Sequence, residues 1–244
     1  ETSKRFNAFA DEVCRLHLHY SPAADPSAPQ TLICKSYGTQ WFASHGKPEL
    51  YFYEQIAPYM AAIPVVDCCG VIGNPESLAM TGEPIHLLLE DLDTYYALAT
   101  PPISDHQLEI VTDLLVALHA RWWQHPLLES AHFMTPDTTV CRMPQALGEA
   151  EVRRNVSEAQ LATRQFLHRH QNELLPDEAE LLVLLAQRWG DCFCARIAGG
   201  RAITLIHGDF HLLGNIFFAK SPATVPAIKI IDWAQSKRGI GVHD

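Results

Sequence analysis

The sequence predicts an α+β fold in two parts: a small β-rich lobe over residues 1–92, then a larger, mainly helical lobe over residues 93–244. Three observations carry this. Before residue 92, apolar residues alternate with polar ones or stand in short runs bounded by Gly and Pro, the mark of strands. Beyond it they recur at helical spacing through three long stretches. Strand signal returns only near the C-terminus, at Thr204 to Ile206 and Ile228 to Asp232.

In order along the chain, residues 9–20 alternate through Val13, Leu16, Leu18 and Tyr20, and TLICKSY runs from Thr31 to Tyr37 beyond a Pro/Ser-rich turn, so two strands are expected. Leu50, Tyr53, Ile56 and Ala57 share one helical face, which predicts a helix of about three turns beginning just after Pro48 and ending near Pro64. IPVVDCCGVIG and PIHLLLEDL then read as two further strands, and the crossing to the second lobe falls at Glu90 to Asp93. In the second lobe, His106 to Trp123 sets Leu108, Val111, Leu114, Leu115, Leu118 and Trp122 on one stripe. Glu149 to His170 and Asp177 to Ile197 continue the pattern with acidic residues near their starts, where the helix dipole favours them.

The composition, 48% hydrophobic and 19% charged over 244 residues, belongs to an ordinary globular chain rather than a disordered or fibrous one. Apolar runs such as Leu181 to Ala186 fall far short of the roughly 20 residues of a bilayer span, and no basic-then-apolar leader opens the chain, so a cytoplasmic protein without membrane association is expected. Seven irregularly spaced cysteines do not form a disulfide framework and fit a reducing compartment. With 28 acidic against 18 basic residues, a formal charge of −10, the chain lacks the basic balance of a nucleic-acid binder and leans toward a neutral or cationic partner.

The chemistry concentrates in LIHGDFHLLGNIFF, residues 205–218, and AIKIIDWAQ, residues 227–235. An apolar strand feeds a turn holding His207, Asp209, His211 and Asn215, and a second strand ends on Asp232 with Trp233 behind it. Phosphoryl transfer needs such a set: one carboxylate to orient and deprotonate the attacking hydroxyl, and an amide oxygen with a second carboxylate to hold magnesium against phosphate oxygens. Two other readings stand beside it. His207, Asp209 and His211 form an H-x-D-x-H spacing that a metal-dependent hydrolase uses, and Trp122 with Trp123 could face a cationic substrate.

HGDFH…N followed by IIDW resembles the catalytic loop and metal-binding strand of the aminoglycoside phosphotransferase and choline-kinase-like family, whose fold is protein-kinase-like. The strand LICKSY, the segment PELYFYEQIAP, the segment LLLEDL and ALHARWW follow in that family's order. The resemblance implies a two-lobed kinase-like fold with a small antiparallel β lobe, and ATP and Mg2+ as cofactors. It implies that Lys35 grips the α- and β-phosphates, that Glu49 orients Lys35, and that main-chain groups near Glu90 and Leu92 bind the adenine edge. Asp209 is then the catalytic base, Asn215 and Asp232 are the magnesium ligands, and His207 and Gly208 support the catalytic loop. The substrate implied is a small hydroxylated molecule; a non-catalytic nucleotide-binding relative is the alternative. Two departures from the family pattern are visible. Asn215 stands six residues after Asp209 where the family spaces five, with Gly214 in its place, and no glycine precedes Gly38 to form a phosphate-covering loop. The chain is accordingly expected to be a piece of a longer protein, extended at both ends.

Overall fold

The computed structural model describes residues 10, 12–130, 149–197, 203–224, 226–239, 241 and 244, which form a mixed α+β arrangement with small antiparallel sheets. The two N-terminal strand readings become β1 (Glu12–His17) and β2 (Thr31–Tyr37), and the two apolar runs become β3 (Cys68–Ile72) and β4 (Ile85–Glu90). They build one antiparallel sheet in the order β1-β2-β4-β3. Its register sets Lys35 opposite Val13 on one side and Leu87 on the other. Because side chains alternate across a strand, Val13, Arg15, Ile33 and Lys35 face one cavity together.

Residues 39–59 wind as one helical run, α1, which starts well before Pro48 and ends before Pro64. Its winding changes four times: Thr39–Trp41 is α, Phe42–Gly46 π, Lys47–Tyr51 α, Phe52–Ile56 π and Ala57–Tyr59 3-10. The change of winding explains why Pro48 does not start the helix. It sits in the first turn of the Lys47–Tyr51 segment, where its missing N–H leaves no hydrogen bond of that segment unmade. Gly46 lets the run approach the sheet, since a Cβ there would stand 2.6 Å from the Tyr37 ring.

A short helix unpredicted from the sequence, α2 (Pro75–Thr81), is closed at its start by Asn74, whose side chain accepts from the Ser77 N–H at 2.8 Å, and at its end by Gly82 at φ 75°. Asn-Pro before and Gly after were its signals. The helical stretches become α3 (Asp105–Arg121), with a Ser104/Gln107 capping box, then α5 (Glu149–Arg169) and α6 (Pro176–Ile197), with α4 (Leu127–Ser130) between. Of the predicted stripe on α3, Val111, Leu114, Leu118 and the following Trp122 are buried while Leu108 is exposed.

Strand signal does not wait for Thr204. β5 (Tyr96–Leu98) pairs with β7 (Ile216–Ala219), which pairs with β8 (Ile228–Ile230), and β6 (Thr204–Ile206) pairs with β9 (Lys237–Gly239), all antiparallel. At three or four residues each, β5, β7 and β9 are too short for periodicity to reveal them. The segment before β3 ties the two main sheets: Val66 N–H donates to Ile230 O at 3.0 Å and Ile230 N–H to Pro64 O at 2.8 Å. One apolar core joins Leu87 of β4, Phe52 and Ile56 of α1, Leu118 of α3 and Trp233. Phe52 and Trp233 stack nearly parallel, centroids 4.2 Å apart. Among the described residues no helix is long and apolar enough to cross a membrane.

Phe52 is fully buried in that stack, so Phe52→Ala is expected to lower unfolding stability by about 3–5 kcal/mol through the cavity it leaves. Urea denaturation with an unchanged m-value checks this; a loss below about 1 kcal/mol would show that the stack does not join α1 to the core.

Candidate functional site

Lys35 is carried into the interior by β2 and is 7% exposed. Its Nζ lies 2.8 Å from Glu49 Oε2, on α1, and 2.6 Å from Asp232 Oδ1, just beyond β8. Burial pushes the Lys35 ammonium down, but Glu49 and Asp232 together outweigh it and hold the group above its ordinary value. Burial also pushes the Asp232 carboxyl up; the charge and hydrogen bond of Lys35 bring it below the usual carboxylate value. Glu49 is wholly buried, and there burial prevails over the opposing pull of Lys35, so its carboxyl is raised. The Tyr37 hydroxyl donates to the same Glu49 Oε2 that Lys35 uses.

The loop after β6 is braced from beneath. His207 is fully buried; its Nε2–H donates to Ile231 O at 2.8 Å and its Nδ1 accepts from the Asp209 N–H at 3.3 Å. Those two bonds specify a neutral imidazole, and burial lowers its pKa accordingly. Gly208 turns at φ +83°, and a Cβ there would stand 2.3 Å from Gln235 O, so no other residue fits. Asp244, whose side chain is fully buried, accepts from the N–H groups of His207 and Gly208, both at 2.8 Å, and lies 3.1 Å from His119 Nε2. Sequence reasoning missed Asp244 because only its tertiary position distinguishes it from any other acid.

The longer spacing between Asp209 and Asn215 closes on itself. Asn215 N–H donates to His211 O at 3.1 Å, a helical turn that absorbs the extra residue. Asn215 Nδ2 then reaches Asp209 O at 2.8 Å and Asp209 Oδ2 at 3.1 Å. A Cβ at Gly214 would come within 2.0 Å of the His211 ring, which is half exposed and would have to turn aside. Asp232 holds φ 61°, ψ 62°, a left-handed conformation that Asp tolerates better than most residues and that aims its carboxylate at Lys35.

Lys35, Glu49, Glu90, Leu92, Asp209, Asn215 and Asp232 all line one cavity of about 600 Å3, while His207 and Gly208 lie behind it. Val13, Ile33, Leu89 and Phe217 supply apolar walls. At its mouth Arg15 forks onto Asp91 at 2.6 and 3.1 Å and reaches Asp93 at 2.9 Å. Glu90 is gripped from the second sheet by Lys229 Nζ at 2.8 Å. The H-x-D-x-H spacing does not become a metal site: His207 is turned inward and spent on Ile231 and Asp209, His211 stands 4.0 Å from Asp209, and no metal-binding group of three His, Cys, Asp or Glu forms among the described residues. Trp122 and Trp123 share no face either, the first being core and the second half exposed.

In comparisons with known proteins, no family model and no curated sequence matches the chain.

The neutral, buried His207 sets a pH dependence. Its folded pKa is below the ordinary 6.5, so the unfolded chain takes up a proton that the folded chain refuses, and stability falls as pH drops through that value toward the lowered one. Within this window each pH unit is expected to cost up to about 1.4 kcal/mol. Unfolding free energies between pH 7 and 5 should show a shallower slope in His207→Gln than in the parent; equal slopes would contradict the inward, neutral imidazole.

Proposed function

We propose that this protein is an ATP-dependent phosphotransferase of the two-lobed, protein-kinase-like kind, phosphorylating a hydroxyl group of a small molecule. The observation that carries the reading is one lysine shared by two carboxylates from separate elements, 2.8 Å from Glu49 and 2.6 Å from Asp232, inside the cavity that Asp209 and Asn215 also line. Phosphoryl transfer asks a protein mostly for positioning and charge, and this cavity offers both.

The sheet wall with Val13, Ile33 and Leu89 suits an adenine ring, with main-chain groups near Glu90 and Leu92 along its edge. Lys35 supplies the positive charge for the α- and β-phosphates and Glu49 holds it in place. Asp209, about half exposed and steadied by Asn215, faces the open side of the cavity, where it orients the acceptor hydroxyl and takes its proton. Asp232 and Asn215 bring oxygen donors without a soft ligand, the set a hard divalent cation prefers. Magnesium bound there supplies charge neutralisation of the phosphate oxygens. Asp232, its carboxyl below the usual range, is ionised and ready for that role at neutral pH. The acceptor is a hydroxylated metabolite, and the net charge of −10 favours a cationic one.

Thermal-shift titration with ATP tests the reading: magnesium-dependent stabilisation by linkage is expected, with ADP released when a hydroxylated acceptor is added. Asp209→Asn is expected to keep nucleotide binding and lose turnover by at least about 100-fold, whereas Asp232→Ala loses the magnesium-dependent part of binding. Nucleotide binding without turnover on any acceptor would make the chain a non-catalytic relative, and turnover unchanged in both variants would remove the proposal.

A further inference from the structure

Resting on that reading of the cavity, we infer that Tyr37 is a positioning residue that sets Glu49, and through it Lys35, in the working geometry. Tyr37 follows Lys35 by two residues on β2 and points into the core on the same face, 1% exposed. It touches both members of the ion pair. Its hydroxyl donates to Glu49 Oε2, and its ring lies beneath Lys35 Nζ, 5.5 Å from centroid to nitrogen.

The hydrogen-bond inventory of Glu49 makes this contact decisive. The carboxylate is 0% exposed to bulk solvent, and Oε1 has no hydrogen-bond partner among the described residues. Among the described residues its support comes through Oε2, from Lys35 and Tyr37. A buried carboxylate left with a single donor carries a large desolvation penalty, and Lys35 is already divided between Glu49 and Asp232. Without the Tyr37 hydroxyl, the balance shifts: Glu49 is less able to hold the ammonium against the pull of Asp232.

The local backbone is shaped around Tyr37. The π segment Phe42–Gly46 ends on the glycine whose bare Cα lies against the Tyr37 ring, where a Cβ would stand 2.6 Å from Cγ and 2.8 Å from Cβ of the tyrosine. Glu49 follows in the next segment, Lys47–Tyr51, buried on the side facing β2. Tyr37 is thus a wedge between sheet and helix whose tip is, among the described residues, the one side-chain hydrogen bond to Glu49 besides that of the lysine.

Tyr37→Phe keeps the wedge and removes only the tip. Trace acetylation with acetic anhydride, read by mass spectrometry, reports how firmly Lys35 is held, and Lys229, buried in its own ion pairs with Glu90 and Asp67, serves as internal control. Tyr37→Phe should raise labelling of Lys35 severalfold and leave Lys229 unchanged; an unchanged Lys35, or an equal rise at Lys229, would overturn the inference and leave Tyr37 a packing residue. In parallel, the magnesium-dependent affinity for ATP should fall about tenfold in Tyr37→Phe, the scale of one charge-assisted hydrogen bond. It should fall no further when the same change is made in Glu49→Gln, because the two residues act as one unit. Additive losses would overturn the inference. If the parent protein binds no ATP, the phosphotransfer reading falls while the Lys35 labelling still decides the role of Tyr37.

Discussion

The arrangement depends on one buried ammonium group held between two acids, Glu49 wholly buried and Asp232 opening on the cavity. Taking Lys35 and Glu49 from water costs several kcal/mol per ion before any attraction is counted. What offsets the cost is geometry, with contacts of 2.8 and 2.6 Å and a tyrosine hydroxyl on one of the acids. The three charges come from a strand, a helix and a strand end, so each element must be placed by its own packing before the ions can meet. Removing Lys35 strands the buried carboxylate of Glu49, and the side chains around the pair, Tyr37, Phe52, Leu87 and Trp233, are all at or near zero exposure.

Around this centre the backbone adopts conformations that few residues allow. Gly208 and Asp232 both have positive φ, on the two loops that bring the remaining polar groups to the cavity. At Asp232, unlike at the glycine, such a conformation is uncommon and persists where neighbours hold it. Here the neighbours are Asp244, which accepts from two successive N–H groups under His207 and Gly208, and His207, whose ring ties the loop to Ile231 next to Asp232. The two loops are therefore coupled through hydrogen bonds and not merely adjacent, and the same coupling keeps His207 neutral.

The cavity walls come from both sheets, and polar as well as apolar contacts keep them in register. Val66 and Pro64 bond to Ile230 from one side, and Lys229 reaches Glu90 from the other, so the β4 end and the β8 end are tied by three polar contacts. Arg15 closes the mouth by gripping Asp91 and Asp93, which sets a strand of the first sheet against the connection leading into the rest of the chain. A ligand in this cavity meets a wall of alternating strand residues on one face and a floor of loop carboxylates on the other.

From the sequence alone one reads the periodic elements, because burial imposes a repeat that a run of six or more residues displays: β2 and the long helices α3, α5 and α6 lie within a residue or two of where periodicity puts them. Part of the cavity lining was legible too: Asp209, Asn215 and Asp232 stand in two short polar motifs, and Lys35 is singled out by the family resemblance those motifs carry. Tertiary structure alone decided the rest. β5, β7 and β9 are too short to show a period, the π turns of α1 arise where the helix meets Tyr37 and Trp233, and Asp244 and Tyr37 gain meaning only from what they touch. Lys35 and Asp232 are 197 residues apart in the chain yet 2.6 Å apart in the fold; no local pattern encodes that distance, because the pairing is set by packing among elements that the sequence lists far from one another.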